Sequence, residues 1–286
     1  MPTWKVFARL FGGIKQACVY AGIPYIKDIK HPQENKVNLR IGEEKLSSDG
    51  YIMKLVEYEN ANNVTIEFQD EHKYRFHTSY KNWMKSDYKN PYHPNIFHEC
   101  YRGNATTKIN GAKKKSYMVW YAMIQRCYDP ISVQKKPTYE ECVVCDQWKC
   151  FEYFEIWFNQ NYYIIDNEEM CLDKDILVKN NKIYAPEFCV FVPQRINKLF
   201  TKRQLHRGDY PIGVTYNKQT NDFSANCNDG ENNNVYLGRY TSAYQAFLRY
   251  KKYKEYVIKK VADEYRGKIP DKLYNALYQY RVEESD

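Results

Sequence analysis

The chain has 286 residues, longer than one hydrophobic core comfortably organises, so two or three modules are expected. Its 43 Lys and Arg against 35 Asp and Glu leave a net charge of +8, a balance that favours nucleic acid or another polyanion as partner. No window approaches the about 18 apolar residues of a membrane span, and nine cysteines, an odd number, argue against a disulfide framework and for thiols or metal ligands in a reducing compartment. The stretch Trp4-Lys5-Val6-Phe7-Ala8-Arg9-Leu10-Phe11 interrupts its apolar residues with charge and lacks a cleavage pattern, so no signal peptide is expected. The expected setting is the cytoplasm, with no membrane partner. The 29 tyrosines are expected mainly in packing, with some rings free to stack on bases or reach phosphates.

Residues 1–37 offer one short helix ending near Gly12-Gly13, followed by the punctuation Gly22-Ile23-Pro24 and His31-Pro32. A small β module, barrel-like or curled, is expected over 38–100. Val37 to Ile41 alternates, Tyr51 to Tyr58 follows the turn Ser47-Ser48-Asp49-Gly50, and Val64 to Phe68 alternates again. Such a module is a candidate surface for a host protein. Residues 101–116 contain Arg102, Lys108, Lys113, Lys114 and Lys115 without one acidic residue or any periodicity, which reads as a basic linker, either a solvated spacer or a phosphate-contacting arm.

The span 117–204 has its own character. Trp120, Met123, Ile124 and Cys127 recur at helical spacing, and a second helix after Asp146 places Trp148, Phe151, Phe154, Trp157 and Phe158 on one face as core. Strands are expected over Leu172 to Leu177 and Lys182 to Tyr184 around the polar turn Asn180-Asn181, then at Cys189 to Pro193, running into a helix through Ile196 and Leu199. From 208 to 286 the pattern is three short strands (213–218, 222–228 and 235–240) and a long helix. Thr241 stands at the N-cap, and Ala243, Ala246, Phe247, Tyr250, Val257, Ile258 and Val261 form a stripe that covers one face of the sheet. Gly267 and Pro270 end that helix. The overall class is α+β.

The Gly213-Val214 start, Phe223-Ser224-Ala225, Tyr236-Leu237-Gly238-Arg239-Tyr240 and the Thr241 to Ala246 opening of the helix resemble the plant ethylene-response-factor, integrase-type DNA-binding domain. The resemblance implies a helix behind the sheet and a sheet face that enters the major groove of double-stranded DNA. Carried across residue by residue, the DNA-facing positions fall on Thr215, Asn217, Asn226, Asn228, Asn234 and Tyr236. The plant pattern has arginines and tryptophan there, so the departure implies either weaker phosphate attraction or a different base preference in which Asn amides pair with adenine edges, and Lys218 and Arg239 could restore some charge. Turn chemistry is the competing role for the Asn residues.

Trp120, Met123, Ile124, Arg126-Cys127-Tyr128, then Val144-Cys145-Asp146 with Trp148, Leu172-Asp173-Lys174-Asp175-Ile176, and Pro186-Glu187 before Phe191-Val192 resemble the HNH-like homing-endonuclease proteins of bacteriophages, which often join such a core to an integrase-type domain. The resemblance implies a ββα-derived module, a phage or mobile-element origin in a bacterial host cell, and one Mg²⁺ with a histidine general base. The six histidines all lie outside 99–205, and Lys174 stands where the active family has histidine. Asp173, Lys174, Asp175 and Asn181 are the catalytic candidates, with the carboxylates, Asn180 and Asn181 as oxygen donors to Mg²⁺. Three readings stay open: a degenerate DNA-binding protein, an active nicking endonuclease, and an anti-defence or regulatory factor that binds a host protein or nucleic acid. Cys142 and Cys145, with Cys171 and Cys189, also offer a weak pattern for structural Zn²⁺ beside the alternative of buried thiols.

Overall fold

The computed structural model describes residues 16, 40–85, 87–201, 210–284 and 286, so the helix expected before Gly12 and the strand residues 37–39 lie outside the described residues. The chain divides into two compact units, 1–90 and 91–286, each mixing helix with sheet. Among the described residues no helix is long and apolar enough to cross a membrane.

In the first unit β1 (Glu44–Leu46), β2 (Ile52–Asn60), β3 (Asn63–Phe68) and β4 (Arg75–Thr78) form an antiparallel meander in the order β1-β2-β3-β4. Arg40 and Ile41 lie in the turn before β1 and not in a strand. Alternation places Met53, Leu55, Val64, Ile66 and Phe68 in one core, closed by Trp83 of α1 (Tyr80–Lys85). Two register shifts along β2–β3 bend the sheet. On β3, buried Glu67 is held by Arg75 Nε at 2.7 Å, and buried Thr65 donates to Glu57 at 2.8 Å, so neither polar group is left bare.

The second unit begins earlier than the expected boundary at 100. Cys100 is wholly buried in the cluster around Trp120, and Tyr101 bridges Cys150, because Phe151 N–H donates to the Tyr101 carbonyl. Residues 101–116 are accordingly not a linker. They dock through Asn104 N–H on Glu152 and then form the hairpin β5 (Lys108–Ile109) and β6 (Ala112–Lys113). Helix α2 (Lys115–Tyr128) and α3 (Pro130–Lys135) follow, then β7 (Val143–Val144), α4 (Asp146–Lys149) and α5 (Phe151–Asn161). The expected aromatic face is the core here: Trp120, Trp148, Phe151 and Phe154 are fully buried, while Trp157 is only partly so. Trp120 Nε1 donates to the Trp148 carbonyl at 2.7 Å, so its polar atom is satisfied inside that core.

Beyond α5, β8 (Met170–Asp173) pairs antiparallel with β10 (Val190–Pro193), which runs into α6 (Gln194–Leu199). The expected hairpin around Asn180-Asn181 is not formed. Instead β9 (Ile183–Tyr184) pairs in parallel with β7, and Ile176 and Leu177 lie outside any strand. Two-residue strands carry almost no pattern of their own, so the partner is chosen by packing of Val144 and Tyr184 into the aromatic core.

The C-terminal strands β11 (Val214–Asn217), β12 (Asp222–Asn228) and β13 (Asn234–Tyr240) form an antiparallel sheet in that order, with α7 (Ala243–Glu264) packed on it. Its N-cap is Ser242 and not Thr241: the Ser242 hydroxyl accepts from Gln245 N–H at 3.3 Å, while Thr241 bonds the Gln245 side chain. At 22 residues, α7 is longer than the sheet requires, and its stripe serves two cores. Ala246, Phe247 and Tyr250 meet Val214, Ala225 and Cys227 of the sheet, whereas Val257, Ile258, Val261 and Ala262 meet Val190, Val192, Ile196 and Leu199. Each such aliphatic contributes about 1.5–3 kcal/mol on burial, so the spans expected as separate modules at 117–204 and 208–286 are held by one shared core. A further helix, α8 (Asp271–Gln279), closes that core with Leu273 and Leu277.

Candidate nucleic-acid interface

The pairing of the C-terminal sheet sorts its side chains. Val214, Ala225 and Gly238 lie in one row, and Cys227 pairs with Val235; Val214, Ala225 and Cys227 are buried under α7. The opposite face carries the row Thr215, Ser224 and Arg239, then Asn226 beside Tyr236, then Asn228 beside Asn234. A register shift after Ala225 sets this arrangement. Strict alternation along β13 would put Arg239 on the face opposite Tyr236; the extra residue of the bulge brings both to the outer face, with Leu237 packed inward. Tyr236 is 59% exposed.

Not all the expected DNA-facing residues are equally free. Asn217 Oδ1 accepts from Gln219 N–H at 2.9 Å and Asn228 Oδ1 from Gly230 N–H at 2.8 Å, so both carboxamide oxygens are engaged in turns. Thr215, Asn226, Asn234 and Tyr236 have no side-chain hydrogen bond among the described residues. Arg239 lies 3.7 Å from Asp222, which offsets part of its charge, and Lys218 is exposed in the β11–β12 turn. Ser224, on the same outer face, completes the row between Thr215 and Arg239.

Asp173, Lys174, Asp175 and Asn181 are brought together, but as a closed network. Lys174 is 6% exposed, and its ammonium donates to Asp175 Oδ1 and to the Asn181 carbonyl, both at 2.6 Å. The Asn181 side chain donates to the Lys174 and Ile183 carbonyls at 2.9 and 2.7 Å and accepts from Ile183 N–H. Asp173 Oδ1 accepts from the backbone N–H of Asp175 and of Ile176, both at 2.8 Å. Burial raises the Asp173 carboxyl above its ordinary value, and those two N–H donors only partly oppose the rise. Asp173 Oδ1, Asp175 Oδ1 and the Asn181 oxygens are therefore already engaged by an internal ammonium and by backbone N–H groups. Lys174 acts as donor at the position where a general base would have to accept.

A cavity of about 380 Å³ adjoins this network, lined among others by Lys115, Arg126, Tyr139, Asp173, Tyr184 and Asn197. The Arg126 guanidinium sits 5.7 Å from the centres of both the Tyr139 and the Tyr184 rings. Arg126, Tyr139 and Asn197 are not legible as neighbours of Asp173 in the sequence; only the β8–β10–α6 pairing places Asn197 there. Among the described residues no group of three or more His, Cys, Asp or Glu is disposed to hold a metal ion, and Cys142, Cys145, Cys171 and Cys189 do not form the expected zinc set. All four are free thiols whose pKa is raised by burial, Cys189 to about 12. Lys113 and Lys115 are exposed, but Lys114 turns inward and pairs with Glu155 at 3.2 Å. The chain matches no family model, and no curated protein or solved structure matches it.

Proposed function

We propose that the chain is a DNA-binding protein of phage or mobile-element type, derived from an HNH homing endonuclease whose cleavage centre is degenerate, and that the outer face of β11–β13 is its duplex-reading surface. The observation that carries the reading is the row of unengaged groups on that face, Thr215, Asn226, Asn234 and Tyr236, flanked by Lys218 and Arg239 and backed by α7. Amides paired with purine edges discriminate bases, and a tyrosine of this exposure reaches a phosphate or a base plane. In this reading β11–β13 with α7 is the integrase-type domain, and β8, β10 and α6 are the remnant of the nuclease ββα module. The internal ammonium of Lys174 supports binding without cleavage, since a metal would have to displace it from Asp175 and the Asn181 carbonyl.

The test is a gel-shift titration of the full chain on a duplex about three helical turns long that the wild type selects from a randomised pool, compared with the triple variant Asn226→Ala, Asn234→Ala, Tyr236→Ala. An affinity loss of about a hundredfold is expected from three contacts of about 1 kcal/mol each; equal affinity would remove the sheet face from the proposal. A plasmid-nicking assay with Mg²⁺ or Mn²⁺ addresses the second half. No cleavage is expected, and metal-dependent nicking that disappears in Asp173→Ala would instead establish an active endonuclease.

A further inference from the structure

The β5–β6 hairpin carries a charge arrangement that the fold does not explain. Asn110 and Gly111 both have positive φ, 50° and 79°, which makes the connection a tight two-residue turn of the type that matches strand twist. The next ladder bond beyond the strand pairs runs from Lys114 N–H to the Thr107 carbonyl at 3.0 Å. By the alternation of an antiparallel ladder, Lys108 and Lys113 are then the non-hydrogen-bonded pair, the pair whose side chains stand closest. Two like charges directly opposite each other oppose hairpin formation. Every residue from Lys108 to Lys113 is exposed, so no core packing holds the ribbon in place.

The surroundings sharpen the point. Glu155 faces the base of the hairpin but is already bound by Lys114 at 3.2 Å and by the Ser116 hydroxyl at 2.7 Å. Glu152 is bound by Tyr92 and by Asn104 N–H. Arg102, Lys108, Lys113 and Lys115, all exposed, have no ion-pair partner among the described residues. These cations on and beside one exposed ribbon, with the nearby carboxylates engaged inward, make a surface complementary to a row of phosphates.

We propose that this hairpin is a second DNA contact, a two-stranded ribbon whose Lys108–Lys113 face seats on the phosphate backbone of a duplex, with Arg102 and Lys115 on adjoining phosphates. The proposal rests on the DNA-binding reading above and adds to it a sequence-independent clamp in a different part of the second unit. Ile109 and Ala112 form the other face of the ribbon and turn away from the backbone.

The decisive variant is Lys108→Glu in the full chain, because it separates structure from binding. The carboxylate introduced there would face Lys113 across the ladder and relieve the like-charge pair, so the thermal midpoint holds or rises. Affinity for the same selected duplex falls about tenfold at about 0.1 M salt. The double variant Lys108→Ala, Lys113→Ala loses two phosphate contacts, which flattens the slope of log affinity against log salt by about 1.8. Ile109→Ala leaves affinity within about twofold, since that face makes no phosphate contact. Wild-type binding with an unchanged salt slope in the double variant would overturn the clamp while leaving the sheet face standing, as would an Ile109→Ala loss as large as that of Lys108→Glu. Absence of any duplex binding by the wild type would overturn both.

Discussion

The loop of Asp173, Lys174, Asp175 and Asn181 and the outer face of β11–β13 are equally polar in sequence and opposite in how their polar groups are engaged. In the loop every named side chain is turned onto its neighbours: the ammonium of Lys174 on Asp175 and the Asn181 carbonyl, the Asn181 amide on two backbone carbonyls, the Asp173 carboxylate on two backbone N–H groups. On the sheet, Asn226, Asn234, Thr215 and Tyr236 meet solvent with their hydrogen-bonding groups unengaged among the described residues. A buried polar network that is fully satisfied fixes a backbone. An exposed row of unengaged amides on a rigid sheet keeps its bonding capacity for a partner. The same residue types are thus engaged within the chain in one place and left open in the other, and the difference lies in which face of the backbone they leave from.

Substitutions in both regions can break or sharpen that contrast. Gly213→Ala has the largest expected effect. Gly213 has φ of 78°, and a Cβ there would overlap the Tyr250 ring of α7, so about 3 kcal/mol of stability is lost, read from urea unfolding, with the sheet face displaced and duplex binding lost too. Lys174→Met comes next. It leaves Asp175 and the Asn181 carbonyl without their donor and costs about 2 kcal/mol, discounted because Asp175 is half exposed, yet duplex affinity stays within about twofold at a temperature where the chain is folded. A loss of binding there would mean that the loop contacts DNA after all.

Asn226→Ala and Asn228→Ala form a matched pair within the sheet. The first is expected to weaken duplex binding about tenfold with stability changed by less than about 0.5 kcal/mol; the second removes the bond to Gly230 N–H and costs about 1 kcal/mol of stability, with the smaller effect on affinity. Equal behaviour of the two would erase the distinction between engaged and unengaged amides. The smallest effect belongs to Asp173→Asn. Because the folded carboxyl is raised above its unfolded value of about 3.9, its contribution to stability is fully present below that pH and is lost as pH rises through the folded value. Replacing the charge keeps an oxygen for the two N–H donors, so the variant gains about 1 kcal/mol or less at about pH 7 and loses that advantage as pH falls towards about 4, a trend that denaturation at several pH values would follow.

Much of the secondary structure is legible in the sequence because the signals are long. Helical spacing identifies α2 through Trp120, Met123, Ile124 and Cys127, and the stripe from Ala246 to Val261 marks the buried face of α7. Lys254 is the exception inside that stripe: it is 8% exposed, and burial lowers its pKa, although its type reads as surface. Short elements are illegible where the pattern is too brief to choose a partner, as with β9, which joins β7 in parallel instead of closing a turn on β8. The basic stretch 101–116 reads as a linker because composition records charge and loses contact; its anchors, Glu152 and Glu155, lie far along the chain.

The sequence by itself determined the α+β class, the sheet-then-helix order of the C-terminal region and the set of polar residues that can leave its sheet, because alternation and helical periodicity are local properties of the chain. Only the tertiary structure decided that a bulge after Ala225 carries Arg239 to the same face as Tyr236, that α7 joins two cores, and that Asp175 Oδ1 and Asp173 Oδ1 are engaged by the chain's own lysine and backbone. Those outcomes depend on register and on contacts between distant segments, where one inserted residue exchanges the faces of a strand and one buried ammonium settles which oxygens remain open.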